Sequence, residues 1–413
     1  MKSRGVEKSI DFNFSTSRVL DSLGVNMSVS KLLPFAKRAS WRSFPVFCLL
    51  ATSCGLGSAA QAPHVVNARM RTLSAAAGLA STFHSIESGE TGPAWIGYAV
   101  PVVPGKHAMC CNGSIGDFSE GGCGRCRLES DHGEEGGRTV NSGDARRVKL
   151  ESSPYFLVLY RTAGGKVLKI RSFSPECELD AAGLPLVWLA DVRPADSVAW
   201  LNSFVKAAGA RAEAEGDDDG PGEDGGLSNS ALTAIAFHAD ASAQCALEGF
   251  VAAGQPERLR EHAAFWLGVA RGRQGYEALS RLLRDDPSER FRGKAVFALY
   301  VSEEPEAVDA IIGVAHHDPS AQVRGQALFW LAQKAGKRAA AAITEAIEND
   351  PETDVKKHAV FALSQLPRDE GVPLLIQVAR TNRNAAVRKQ AMFWLGQSQD
   401  PRALAFFEQI LSH

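Results

Sequence analysis

The segment QALFWLAQ, Gln326 to Gln333, carries six apolar residues in a row between polar edges, Ala327 to Ala332. A helix with a single buried face shows apolar residues at three- and four-residue steps instead. The run recurs as AAFWLG from Ala263, AVFALY from Ala295, AVFALS from Ala359 and AMFWLG from Ala391. Its Phe column, Phe265, Phe297, Phe329, Phe361 and Phe393, steps by 32 residues, as do Leu267, Leu299, Leu331, Leu363 and Leu395. One period upstream, Ala231 to Ala236 (ALTAIA) is a degenerate first copy. Six copies in one register predict a solenoid.

Each copy predicts a helix pair. Pro follows Asp286, Asp318 and Asp350, which reads as an N-cap with Pro at the first helical position. The first helix covers stretches such as DPSAQVRGQALFWLAQ, and a break such as KAGK or LPRDEG follows. The second helix, typified by PEAVDAIIGVAHH and GVPLLIQVAR, sets Val308, Ile311, Ile312 and Ala315 on one face. A first helix in a solenoid touches its own partner and the first helices on both sides, so an unbroken apolar run is expected there. The residue after the Phe alternates as Ala234, Trp266, Ala298, Trp330, Ala362 and Trp394. That alternation predicts indoles interleaved between layers of a 64-residue double repeat, not an aromatic binding strip. A basic column, Arg260, Arg292, Arg324, Lys356 and Arg388, runs beside Asp286, Asp318, Asp350 and Asn382. The two columns predict an ion-pair ladder along the array.

The segments DPSAQVRGQALFWLAQ, DPSERFRGKAVFALYV and DPETDVKKHAVFALSQ resemble bacterial HEAT repeats of the short, PBS-lyase-type kind, whose hallmark is D-P-x-x-x-V-R followed by A-x-x-A-L. The resemblance covers about 185 C-terminal residues. It implies right-handed stacking of antiparallel helix pairs and, most often, contact with another protein. A minority of such relatives are lyases or isomerases that attach bilins to antenna proteins. In such folds the second helices line the concave side, which makes Glu306, Asp309, His316, His317, Glu345 and Arg380 the first candidates for partner contact. The terminal helix PRALAFFEQILSH adds Phe406 and Phe407 as a candidate sticky end for a homodimer.

Before the array the pattern changes. Residues 63–207 read as a small α+β domain. VVNARMRTLSAAAGLAS predicts a helix, AWIGYAVPVV and LPLVWLADV predict strands, and RPADSVAWLNSFVKAAG predicts a helix capped near Asp196. YFLVLYRTAGGKVLKIRSF predicts a hairpin turning at Gly164-Gly165, with Leu157 and Leu159 sharing a buried face with Leu168 and Ile170. Residues 208–227, AGARAEAEGDDDGPGEDGGL, hold seven acids and one Arg among many Gly and read as a solvated linker. Residues 228–413 are the repeats. The expected class is therefore mainly α: a right-handed solenoid of six 32-residue helix pairs behind a small α+β domain.

Residues 1–62 read as an N-terminal extension and signal peptide. From Met27, the basic residues Lys31, Lys37, Arg38 and Arg42 precede the short apolar segment FPVFCLLATSCGLGSA and the A-x-A site Ala60-Gln61-Ala62. Retention as an anchor and lipidation at Cys54 are the rival readings. The expectation is a periplasmic or secreted chain with no membrane span after cleavage, where disulfides are permitted.

The net charge over 413 residues is −2, and from Ser228 onward 21 basic residues face 22 acidic ones. Nucleic-acid binding is therefore not expected. Cys110, Cys111, Cys123 and Cys126 form the pattern C-C-x₁₁-C-x₂-C in a Gly-rich stretch. Three readings compete: a disulfide-pinned loop, a structural zinc site with help from His107 or His132, and a redox pair at Cys123–Cys126. Export favours disulfides. Cys177 and Cys245 either pair across the linker or remain buried thiols. His262 and His358 share one repeat position three repeats apart, too far to hold one metal, and read as residues of a polar edge. No G-x-S-x-G, H-E-x-x-H, phosphate loop or dinucleotide fingerprint is present, and no cofactor is expected. The leading expectation is a non-catalytic scaffold that binds a protein partner. The alternatives are metal or thiol chemistry in the Cys-rich region and a bilin lyase-like enzyme.

Overall fold

The computed structural model describes residues 63–89, 92–105, 109, 126–129, 153–215, 223–334 and 337–412. The signal-peptide reading, Cys110, Cys111, Cys123, His107 and His132 fall outside them.

The N-terminal part is built on a mixed five-stranded sheet. Its strands are β2 (Arg69–Ser74), β3 (Ala94–Pro101), β5 (Tyr155–Ala163), β6 (Lys166–Phe173) and β8 (Pro185–Ala190), in the order β2-β8-β3-β5-β6. A second, three-stranded parallel sheet joins β1 (Val65–Val66), β7 (Leu179–Asp180) and β4 (Cys126–Arg127), in the order β1-β7-β4. One face of the larger sheet, including Ile96, Tyr98, Val158, Tyr160 and Val187, packs in a core with residues of α1 (Leu79–Gly89) and α2 (Pro194–Glu215). The other face, with Trp95, Leu157, Leu159, Phe173 and Trp188, shares a second core with Cys126, Leu128, Cys177 and Leu179 of the smaller sheet and its loops.

Two expectations for this part are corrected. The helix expected over VVNARMRTLSAAAGLAS is instead strands β1 and β2, with a helix only from Leu79. Strand β2 lies at the sheet edge, paired in parallel with β8 from Arg69–Pro185 to Ser74–Ala190. Pairing with β8 overrides local propensity, and the exposed Arg69 and Arg71 suit an edge that must not recruit another strand. The hairpin turns at Gly164-Gly165 as expected, both at positive φ (59° and 69°). Its register slips by one residue, however, because Arg161 pairs with Lys169 while Thr162 pairs with Val167. Leu168 is the extra residue. A one-residue bulge flips every later side chain to the opposite face. Ile170 thus lies opposite Tyr160, away from Leu157 and Leu159, and Leu168 is exposed.

Among the described residues twelve further helices, α3 to α14, form six antiparallel pairs. The first helices are α3 (Glu223–Phe237), α5 (Glu257–Ala270), α7 (Glu289–Val301), α9 (Ala321–Lys334), α11 (Thr353–Ser364) and α13 (Ala385–Gln397). The second helices are α4 (Ala241–Phe250), α6 (Gly272–Asp285), α8 (Ala307–His317), α10 (Lys337–Asn349), α12 (Arg368–Thr381) and α14 (Pro401–Leu411). Helix α9, which carries QALFWLAQ, packs on α7, α11, its partner α10 and the preceding second helix α8. Four contact directions explain why Ala327, Leu328, Trp330 and Leu331 are all buried and Phe329 partly so.

The Asp-Pro pairs sit differently from expectation. Asp286 and Asp318 close the preceding second helices, and α7 is capped by Ser288, which accepts from the Phe291 N–H. Asp286, Asp318 and Asp350 instead accept the backbone N–H two residues on, at 3.0, 2.8 and 2.8 Å, shaping the turn between repeats. Only Asp400-Pro401 forms an N-cap with Pro in the first turn.

The segment read as a linker is entered by helix from both sides, since α2 runs to Glu215 and α3 starts at Glu223. Helix α3 packs on α2 and β6, so one apolar core runs from the sheet into the repeats.

Candidate interaction surface

Two layers of charge run along the array. The inner one is the predicted ladder. Arg292 donates from Nε and Nη2 to both carboxylate oxygens of Asp318, while its Nη1 donates to the Asp286 carbonyl at 2.9 Å. Arg324 repeats this with Asp350 and the Asp318 carbonyl, and Arg260 pairs with Asp286. These groups are buried, and the Asp318 hydrogen bonds hold the Arg292 guanidinium above its ordinary pKa. They are structural, so the Arg column offers no basic stripe to a partner. The ladder stops at Lys356, which donates to the Glu348 carbonyl, and the position 26 residues on, Asp in the earlier repeats, is the uncharged Asn382.

The outer layer lies on the second helices and holds most of the residues expected to meet a partner. Glu306 on the rim of α8 accepts from Arg273 of α6 at 2.6 Å. Asp309 pairs with Arg338 of α10. His316 lies 3.9 Å from Glu345 of α10, with its ring against that of exposed His317. Arg380 of α12 bonds Gln409 of α14 and lies over the Phe406 ring at 5.2 Å. Arg281 of α6 reaches back to Glu248 of α4 at 3.4 Å. The expected residues are thus brought onto one succession of helices, but as partners of their neighbours across repeats. Pairing on this surface leaves the carboxylates and guanidinia about half exposed (Arg273 54% and Glu306 48%, Arg338 64% and Asp309 56%). Pairs this wet contribute little to stability and exchange readily for charges on another molecule.

The terminal helix departs from expectation. Phe406 is buried, with the Arg380 guanidinium of α12 over its ring, and Phe407 is packed against the core. Leu404, Ile410 and Leu411 are its large exposed apolar residues, and Phe393 of α13 is exposed as well.

The aromatic column is interior from Phe265 to Phe361, with its indoles between layers as the alternation predicts, and Phe393 of the last repeat is exposed. Phe265 stacks on Phe297 with centroids 6.0 Å apart and rings 14° from parallel, and Phe329 stacks on Phe361 at 6.0 Å and 5°. Between those layers Trp330 fits against Phe297 and Tyr300, at 4.7 and 4.8 Å, and Trp394 fits against Phe361 at 5.0 Å. Trp266 and Trp330 are buried and Trp394 is partly buried.

Residues 248–332 and 340–413 match the family of HEAT repeats. The C-terminal region is a HEAT-repeat array. Among solved structures, the complex of CpcE and CpcF of phycocyanin lyase from Nostoc sp. PCC7120 matches at 23% identity, over 38% of this chain and 99% of that one, with a TM-score of 0.28. Human deoxyhypusine hydroxylase in complex with glycerol matches at 18% identity, over 52% of this chain and 90% of that one, with a TM-score of 0.22. No curated protein matches the chain.

Histidines on the first helices of the HEAT array are wedges between layers, not a polar edge. His262 is buried and meets Asn229 of the preceding repeat at 2.9 Å, and the His358 ring fills the space over Gly325, where a Cβ would lie 2.4 Å from Nδ1. Lys294 takes the same place against Glu261, and Gln326 over Gly293. Burial lowers the His358 pKa below the usual imidazole value.

Of the clustered cysteines, Cys126 is fully buried in the second core of the sheet region. Cys177 and Cys245 are free thiols that do not pair with each other, and Cys245 is exposed, contrary to the expectation of two buried ones. The Cys177 thiol donates to the Met109 carbonyl, and burial pushes its pKa up to about 12. Among the described residues no group of three or more His, Cys, Asp or Glu is placed to hold a metal, and no helix is long and apolar enough to cross a membrane.

Sequence reasoning missed the other halves of the outer pairs, Arg273, Arg338 and Glu248. Opposite charges offset by 29 or 33 residues, one period minus or plus a few, were the available signal. It also missed Arg271 and His238, which sit where the sheet region meets the array.

Proposed function

We propose that this chain is an exported, non-catalytic scaffold whose HEAT array holds a protein partner on the outer surface of its second helices. One observation carries the reading: Arg273–Glu306 and Arg338–Asp309 form a row of half-exposed, mutually paired charges, while the aromatic and Arg–Asp columns are consumed by stacking. A row of alternating charge recognises a surface of complementary alternating charge, and such complementarity sets specificity and encounter rate more than raw affinity. The leader-like sequence at residues 27–62 supports export, and a repeat-built surface supports a macromolecular partner over a small molecule.

The test is site-specific photo-crosslinking in the native host. A photoreactive residue is placed at Asp309 or Glu345 of the second helices, and in a control at Lys389 of a first helix. The reading expects one protein joined from the second-helix positions and not from the control, with the adduct lost on Asp309→Arg. No adduct, or the same adducts from every position, counts against it. Fractionation of the same cells checks export by showing whether the chain lies outside the cytoplasm.

A further inference from the structure

The sheet region and the HEAT array are joined by a short backbone zipper. At the end of β3, Val103 donates its N–H to the Phe237 carbonyl at 2.9 Å, and Ala239 donates to the Pro101 carbonyl at 2.9 Å. Val102 and His238 form the antiparallel bridge between them. His238, in the turn between α3 and α4, is therefore at the middle of the contact and has no solvent exposure.

The imidazole has an unusual environment. Its Nδ1 lies 3.4 Å from the Asp240 N–H, and Nε2 is buried with no hydrogen-bond partner. The Phe156 ring of β5 stands edge-on to it, with centroids 5.9 Å apart. Arg271, between α5 and α6, donates to the His238 carbonyl at 2.7 Å and to the Ala236 carbonyl at 3.3 Å, and its Nε is held by Gln244. The groups that bear on the ring are thus Asp240 from its own turn, which favours a cation, Arg271 from the second repeat, which opposes one, and uncharged Phe156 and Val102 from the sheet side.

We propose that His238 is an acid-sensitive latch: neutral, it lets β3 and the first repeat close on each other, and protonated, it opens that contact. A second proton on the ring takes away the Nδ1 lone pair that faces the Asp240 N–H. It also leaves a cation without a buried acceptor at Nε2, close to the Arg271 guanidinium. The nearest relief is for the Pro101–Val103 end of β3 to separate from Phe237–Ala239 and admit water.

The direction of the pH effect follows. Burial lowers the His238 pKa from 6.5 to about 4, so the folded junction prefers the neutral ring. The stabilisation is fully present above pH 6.5 and is lost as pH falls from there toward about 4. Protonation of His238 would thereby loosen the sheet region from the array by itself, at a place away from the stacking of later repeats.

The experiment uses the full chain. Histidine labelled with ¹³C at Cε1 gives the titration of His238, identified as the signal missing in His238→Gln. Hydrogen exchange, corrected for intrinsic rates, follows peptides spanning 99–105 and 235–241 at pH 7 and pH 4.5. The expected result is a midpoint well below 6.5 and a loss of protection in both peptides of roughly tenfold to a hundredfold, with protection in α7, which holds no histidine, changing less. His238→Gln and His238→Phe should remove most of that pH dependence. A midpoint near 6.5, unchanged protection in the wild-type chain at pH 4.5, or equal loss in folded variants would overturn the proposal. The wild-type measurements decide it even if neither variant folds.

Discussion

Arg292 and Asp318 meet through two parallel hydrogen bonds of 2.8 and 2.9 Å across the boundary between the third and fourth repeats. The same guanidinium binds the carbonyl of Asp286, six residues upstream, so one side chain ties its own turn to the next. Both partners are buried, so truncating one leaves the other charge without compensation. Arg292→Ala should therefore cost about 3 kcal/mol in chemical denaturation, and Asp318→Ala a similar amount, with the double variant far from additive. Additive losses in the double-mutant cycle would show that the pair acts as two unrelated groups.

The ladder ends at Lys356 for want of a fork and a charge opposite it. Lys356→Arg with Asn382→Asp restores the residue types found at 292 and 318, at the same spacing of 26 residues. The pair together should stabilise the fifth and sixth repeats by about 1 kcal/mol, and either change alone should not. Local hydrogen exchange in α11 and α13 measures it.

Trp330 fills the layer between Phe297, Tyr300 and Phe329. Trp330→Ala should cost about 3–5 kcal/mol through the cavity it leaves. At the neighbouring tight layer the reverse change is harmful: a Cβ at Gly268 would lie 2.1 Å from the Ala298 carbonyl oxygen, so Gly268→Ala should force α5 and α7 apart. Calorimetry of both variants tests the alternation of wide and tight layers; a Gly268→Ala protein as stable as wild type would contradict it.

The outer charges should behave in the opposite way. Arg273→Ala and Asp309→Ala remove exposed partners, and each should leave stability close to that of wild type. Crosslinking yield to the partner should nonetheless fall with both. A stability loss comparable to that of Arg292→Ala would return these residues to a structural role.

His358 gives a second acid response. Its half-buried ring packs over Gly325, and desolvation there lowers its pKa below 6.5, so its contribution is present above pH 6.5 and lost as pH falls below that value. In His358→Gln, which matches Gln326 one repeat earlier, thermal stability should fall less between pH 7 and pH 5 than in wild type. Parallel curves for the two proteins would argue that the ring is already solvated.

The cysteines separate by reactivity. Cys245 is exposed and should be alkylated in the native protein, whereas Cys177 should react only after unfolding. If the cluster closes as disulfides, unreduced but denatured chain carries label at Cys177 and Cys245 alone among the cysteines after residue 62. Stoichiometric zinc, or four additional labels, would exclude that closure.

The repeats were legible because every copy states the same instruction. The Phe, Leu, Arg and Asp columns recur at a fixed interval, and one misread residue does not disturb the register. The hairpin was legible for its Gly164-Gly165 turn but not for its bulge, since nothing local distinguishes Leu168 as an unpaired residue. The candidate surface was legible only as exposed positions. Its pairing depended on how far one helix is displaced along the next, which brings Asp309 to Arg338 and Glu306 to Arg273.

What the chain determined by itself is therefore what short-range chemistry and repetition can specify: helix pairs, their period, the indoles packed between layers and the Arg–Asp ladder. Tertiary structure alone decided whether Arg69–Ser74 is strand or helix, because an edge strand exists only by pairing with β8, more than a hundred residues away. It also decided that the acidic stretch after α2 does not separate two cores. Helix α3 completes one face of the sheet and at the same time opens the HEAT array, and the burial of His238 follows from that shared packing.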